Sequence, residues 1–196
     1  MKKFLCFLGA SLLGFGIFSR ANAYGDHYKI SLLGDSKVEI NEVISAIKPH
    51  DSYDDSSDKI NLVFNVAEGE INLHSFMPAT IRCSAVATIM CSVDNPESID
   101  HVQDWLHITN KICPQCNKVF VINKSHLGNC DGVYKRLIHM GINKNLIVKV
   151  STETGEGIGD LISIIKKQAV GSGILMNIGI DMNNNNTSTP KNHCYK

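Results

Sequence analysis

The sequence predicts an α/β domain built on a mostly parallel sheet with helices on both faces. Three observations carry this. Short apolar runs of strand length recur after residue 27. Between them lie stretches with helical periodicity, long enough to cross back over a sheet. The first run ends in Leu33-Gly34 and leads through a polar loop into an amphipathic stretch, the strand–loop–helix context of phosphate-binding loops.

Taken in order, the strands are expected at Tyr28–Leu33, Ile60–Val66, Ala85–Val93, Lys118–Ile122 and Leu146–Val150. Ile40, Val43, Ile44 and Ile47 follow i, i+3, i+4, i+7 and predict a first helix running to about Lys48. Asn95-Pro96 is a helix start signal for a stretch carrying Ile99, Val102, Trp105 and Leu106. Val133, Leu137 and Met140 mark a helix over Asp131–Met140 that Gly141 stops. Ile158, Leu161, Ile162 and Ile165 define the last helix, with Lys166-Lys167 at its end as the helix dipole prefers. Only Pro49–Asp58, polar and acidic, separates the first helix from the second strand.

Length and composition suit one such domain. The chain has 196 residues, 43% of them hydrophobic, enough for a single buried core. Its 19 basic and 19 acidic residues balance, so no pull toward nucleic acid or an anionic membrane is expected.

Residues 1–23 form a separate unit. Lys2 and Lys3 precede an apolar run from Phe4 to Phe18, and Ala21-Asn22-Ala23 ends the segment, the pattern of a cleavable secretory signal. A membrane anchor is the other reading, but the run is short against the ~20 residues a span needs. Cleavage after Ala23 would leave no stable membrane span and would export the domain, to the periplasm or beyond. The domain is expected over residues 24–170, followed by a flexible Asn-rich tail, 171–196.

Export implies an oxidising compartment and six remaining cysteines. Cys83, Cys91 and Cys130 read as small buried thiols. Cys113-Pro114-Gln115-Cys116 follows a helix and precedes a strand, the reverse of a thioredoxin-type motif, so a local disulfide is expected there, with thiol–disulfide exchange as the lesser reading. One C-x-x-C lacks the second pair of a structural zinc site, and His107, His126 and His139 show no ligand spacing with it, so no metal ligands are assigned. Cys194, followed by Tyr195-Lys196, does not complete a C-a-a-X lipidation signal.

Five ordered segments carry a family resemblance: Y-K-I-S-L-L-G-D-S at Tyr28–Ser36, I-R-C-S-A-V-A-T-I-M at Ile81–Met90, N-P-E-S-I-D-H-V-Q-D-W-L at Asn95–Leu106, V-I-N-K-S-H-L at Val121–Leu127, and S-T-E-T-G at Ser151–Gly155. Together they resemble a Rab-type small GTPase of the Ras superfamily over roughly Tyr28 to Ala169. The resemblance implies a three-layer P-loop NTPase fold. It also implies that the family's second strand and first switch are missing or shrunken, because Pro49–Asp58 has no strand alternation. Ile60–Val66 would then become a sheet edge in need of protection.

The resemblance implies nucleotide-contacting positions at Gly34, Asp35, Ser36, Asn123, Lys124 and Ser151. Elsewhere the working motifs have changed. G-x-x-x-x-G-K-[ST] ends here in Glu39, Ile40 and Asn41, so a carboxylate stands where backbone should meet phosphate, and the lysine is absent. Lys37 replaces a family glycine, and Ile40 reads as part of the helix's apolar face. The second switch is written Asn65-Val66-Ala67-Glu68-Gly69-Glu70, without its aspartate, its phosphate-facing glycine or its water-orienting glutamine. His126 holds the place of the guanine-reading aspartate, and Glu153 that of a lysine. Asn123, at a strand end, can equally serve to tie loops together.

These losses imply no family-type catalysis and no cofactor. The expectation is a non-catalytic exported interaction module, a pseudo-GTPase, with unidentified protein partners of the membrane-trafficking type. The alternative is a GTP- or GDP-binding small GTPase with slow hydrolysis and non-standard ligands, which would use Mg2+.

Overall fold

The computed structural model describes residues 26–51, 60–69 and 77–176. Its sheet has five strands: β1 (Asp26–Gly34), β2 (Ile60–Glu68), β3 (Val86–Ser92), β4 (Asn117–Asn123) and β5 (Ile147–Lys149). They lie in the order β2-β1-β3-β4-β5, and every pairing is parallel. A parallel sheet needs crossovers that cover both of its faces, so its inner strands read as continuous apolar runs. β3 is buried at every residue, and β1 is buried from Tyr28 onward.

α1 (Ile40–Asp51) and α6 (Ile158–Ser172) cover one face. Ile40, Val43 and Ile47 meet Ile158, Leu161 and Ile165 over Ile30, Leu32 and Val121. The other face carries α2 (Met77–Ile81), α3 (Pro96–Asp100), α4 (Val102–Ile112) and α5 (Cys130–His139), packed through Ile81, Val102, Trp105 and Leu137 onto Leu33, Ile89 and Ile122. The three-layer α/β arrangement expected from periodicity is present. β2, half-buried along its whole length, forms one edge of the described sheet. Residues 52–59, where the loss of a strand and switch was expected, lie outside the described residues, as do residues 1–23, Glu70 and most of the tail.

Several boundaries differ from expectation. α1 continues through Pro49 to Asp51 rather than stopping at Lys48. The single helix expected after Asn95 is broken at His101, whose φ of −73° and ψ of −10° close α3 before α4 begins. α6 passes Lys166-Lys167 and ends at Ser172 on Gly173, whose left-handed conformation caps it. Ile174 is buried beyond that cap, and the Met176 N–H donates to the His27 carbonyl at 2.8 Å. α2 was not expected: a five-residue helix is too short for apolar periodicity to announce it. At the start of α6, Gly157 has a φ of +73°, and a Cβ there would lie 1.9 Å from the Lys149 carbonyl oxygen. Only glycine fits that turn.

Candidate functional site

The carboxyl ends of the parallel strands, where ligands of such sheets bind, carry most of the residues singled out from the sequence. β1 ends at Gly34, packed so closely on β3 that a Cβ would meet the Met90 carbonyl at 2.9 Å. Ser36–Val38 then folds as a 3-10 turn, with the Val38 N–H donating to the Asp35 carbonyl at 3.0 Å. Val38's side chain is buried, and its carbonyl accepts from Asn123 Nδ2 at 3.0 Å. The backbone of this loop is therefore bonded inward. Asp35 is turned inward as well: its carboxylate accepts from Trp105 Nε1 at 3.1 Å and pairs with His101 Nδ1 at 2.7 Å. That pairing, foremost the hydrogen bond to Asp35, raises the His101 pKa. Ser36 and Lys37 stay exposed.

Glu39 makes the bend from this turn into α1 and does so in the left-handed region, at φ 60° and ψ 52°. Glycine adopts such angles freely, whereas here the bend carries a charged side chain. That carboxylate reaches Lys124 Nζ at 2.8 Å, and Asp94 holds the same ammonium at 2.7 Å. Hydrogen bonds to Asp94 and then Glu39 raise the Lys124 pKa. Burial opposes ionisation of Asp94, but bonds from Lys124 and Ser92 outweigh it and hold its pKa below the usual carboxylate value. Asp94 was not singled out in the sequence. The only cue was its place just past a strand end, before Asn95-Pro96.

An open cavity of about 730 Å3 lies against this clamp. Glu39, Glu42, Asp94 and Glu153 contribute carboxylates to its wall; Lys124 and His126 contribute the basic groups. Of the six positions implied as nucleotide contacts, Lys124 lines it, whereas Gly34, Asp35, Ser36, Asn123 and Ser151 are not in its wall. Asn123 is buried and ties the end of β4 to the Val38 turn, and its Oδ1 also accepts from the Lys124 N–H at 2.8 Å. Ser151 is buried too, its hydroxyl 2.8 Å from His126 Nδ1 and accepting from the Thr154 N–H at 3.2 Å. The other ring nitrogen of His126 meets Glu153 at 2.9 Å. His126 is thus held at both nitrogens by neighbours in the chain.

The segment Asn65–Glu70, in which the resemblance implied a second switch, falls mainly in β2. Asn65 to Glu68 are strand residues, and Gly69 follows, its N–H donating to the Gly34 carbonyl at 3.2 Å. Glu68 accepts from Asn41 Nδ2 at 3.3 Å, and burial, with Glu42 nearby, raises its pKa. Ile40 is fully buried with the α1 core residues, as its periodicity implied.

The cysteines correct two expectations. Cys113 and Cys116 are free buried thiols rather than a local disulfide. Cys83, expected as a buried thiol, is disulfide-bonded and partly exposed, and its φ is +60°. Cys91 and Cys130 are free and buried as expected. Among the described residues, no helix is long and apolar enough to cross a membrane, and no group of three His, Cys, Asp or Glu side chains is placed to hold a metal ion.

No protein-family model matches the chain, and no curated protein matches its sequence.

Proposed function

We propose that this chain is a small-GTPase-like interaction module, a pseudo-GTPase exported by its N-terminal signal, that acts through protein contacts rather than nucleotide turnover. The parallel five-stranded sheet and the Gly34 loop at the end of its first strand are compatible with that fold. The observation that carries the functional reading is the Lys124 clamp. The basic residue nearest the base-reading position is paired by two carboxylates of its own chain, at 2.8 and 2.7 Å.

A polyphosphate entering this space meets Glu39 and Asp94 as like charges. At ~4 Å and an effective dielectric near 20, each such pair costs about 4 kcal/mol. Lys124 is already engaged, and the phosphate-loop lysine is replaced by Ile40 in the core. Asn41, in place of a magnesium-binding hydroxyl, is bonded to Glu68. These residues do not fit a nucleotide with its magnesium ion.

Calorimetric titration of the purified chain with GTP, GDP and ATP, with and without Mg2+, tests the reading. No binding in the micromolar range is expected; micromolar affinity for GTP or GDP would replace it with the nucleotide-binding alternative. Capture of a trafficking-type protein by the wild-type domain, weakened by substitutions on its exposed face, would support the interaction role.

A further inference from the structure

The described sheet ends in two unlike edges. β5, on one side, has three residues, the kind of short edge that discourages pairing with another chain. β2, on the other, has nine, Ile60 to Glu68, and no described strand pairs with its outer side. It carries none of the usual safeguards: no proline, lysine or arginine, no bulge in its register against β1, and a single charge at its last position. One bond sets the direction of its backbone. The Gly69 N–H donates to the Gly34 carbonyl, so Gly69 faces β1. Main-chain groups change sides from each strand residue to the next, so Asn61, Val63, Asn65 and Ala67 also face β1. Ile60, Leu62, Phe64 and Val66 therefore turn their N–H and C=O groups outward. Their side chains pack only partly on the α1 face of the core, and all nine residues stay half-buried where the inner strand β3 is buried throughout.

We propose that β2 pairs with the β2 of a second copy of this chain, antiparallel about a two-fold axis at Val63, to form one continuous sheet across a homodimer. The strand's own sequence selects this occupant. With Val63 opposite its mate, Leu62 exchanges both backbone bonds with Phe64 of the other copy, and Ile60 does so with Val66. Each of these outward N–H and C=O groups then has a partner. The same register sets apolar side chains against apolar ones, Leu62 with Phe64 and Ile60 with Val66, and polar against polar, Asn61 with Asn65. Moving the axis to Phe64 would instead set Ile60 against the Glu68 carboxylate.

A two-fold contact of this kind uses the same patch on both subunits, which is what a self-complementary strand offers. The sequence that leads into β2 makes a poor substitute. Residues 52–59, S-Y-D-D-S-S-D-K, bring three aspartates and three serines to an apolar row and no aliphatic side chain. Pairing also removes more of Leu62, Val63, Phe64 and Val66 from water, which favours association in the same way that it favours folding. The dimer stands whether or not a nucleotide binds, because β2 pairs along its length and the cavity beside Lys124 is lined by other elements.

Sedimentation velocity of the full chain over a wide concentration range tests the pairing. The wild type should reach twice the chain mass as concentration rises. Val63→Lys, which sets like charges opposite each other at the axis, should lose the dimer. Cross-linking reads the register even where that variant fails to fold. Residues that face each other at the axis have Cβ atoms about 4.5–5.5 Å apart, so Val63→Cys should close a disulfide between subunits under mild oxidation, located by peptide mass. Phe64→Cys should not, because its mate lies on the diagonal, about 7–8 Å away. A monomer at every concentration overturns the proposal, since the edge would then be covered within one chain. A dimer that cross-links through Phe64→Cys and not through Val63→Cys, or that survives Val63→Lys unchanged, overturns it as well.

Discussion

Replacing Glu39 by alanine and, separately, by glycine isolates the strain in the bend that opens α1. Both variants lose the contact with Lys124. The Glu39 and Lys124 side chains are 42% and 16% exposed, so solvent screening limits that contact to about 0–1 kcal/mol. Because the loss is common to both, it cancels in their difference. What remains is the left-handed conformation at φ 60°, which costs a residue with a Cβ about 1–2 kcal/mol. Glycine's larger unfolded-state freedom returns about 0.4–1 kcal/mol of that. The glycine variant should therefore be the more stable by about 0.8 kcal/mol, or about 2–3 °C in Tm for a domain of this size. It should also lie close to the wild type, because strain relief offsets the lost ion pair. Urea unfolding followed by circular dichroism, with unchanged m-values, is the assay. An alanine variant as stable as the glycine variant would refute the reasoning, since the bend would then cost no more than the roughly 0.4–1 kcal/mol that glycine's unfolded-state freedom returns.

Three further outcomes follow from the site. Asn123→Ala removes a buried amide bonded to the Val38 carbonyl and the Lys124 N–H, and should cost about 1–3 kcal/mol by the same assay. Ile40→Ala should cost about 2–5 kcal/mol, and Ile40→Lys more, because a lysine there would bury an unpaired charge in the core. His101 has a folded-state pKa raised above its ordinary 6.5, first by the hydrogen bond to Asp35. Its contribution is fully present below pH 6.5 and is lost as pH rises through the folded-state value. The stability difference between wild type and His101→Gln should shrink between pH 5.5 and 8.5, staying under about 1 kcal/mol because the ring is 44% exposed; a difference independent of pH would contradict the pairing.

The architecture was legible because it rests on local patterning. Apolar runs that a parallel sheet buries on both faces, and the i, i+3, i+4, i+7 spacing of Ile40, Val43, Ile44 and Ile47, need no knowledge of distant partners. α2 and the break at His101 were not legible. One is shorter than the period that reveals a helix, and the other sits inside an otherwise continuous helical pattern, where His101 also bonds to Asp35 from the first loop.

Sequence alone determined which chemical groups stand at the loop ends: a carboxylate at Glu39, an apolar side chain at Ile40, an imidazole at His126. Only the tertiary structure decided what these groups do. Lys124 meets Glu39 and Asp94, His126 meets Ser151 and Glu153, and Asp35 meets His101 and Trp105, all across long separations in the chain. The thiols show the same division, since C-x-x-C spacing cannot reveal that Cys113 lies against the turn holding Cys83. The physical reason is one of range. Helix and strand formation follow from neighbours a few residues apart, whereas hydrogen bonds and ion pairs act over a few ångströms between groups that only the folded chain brings together.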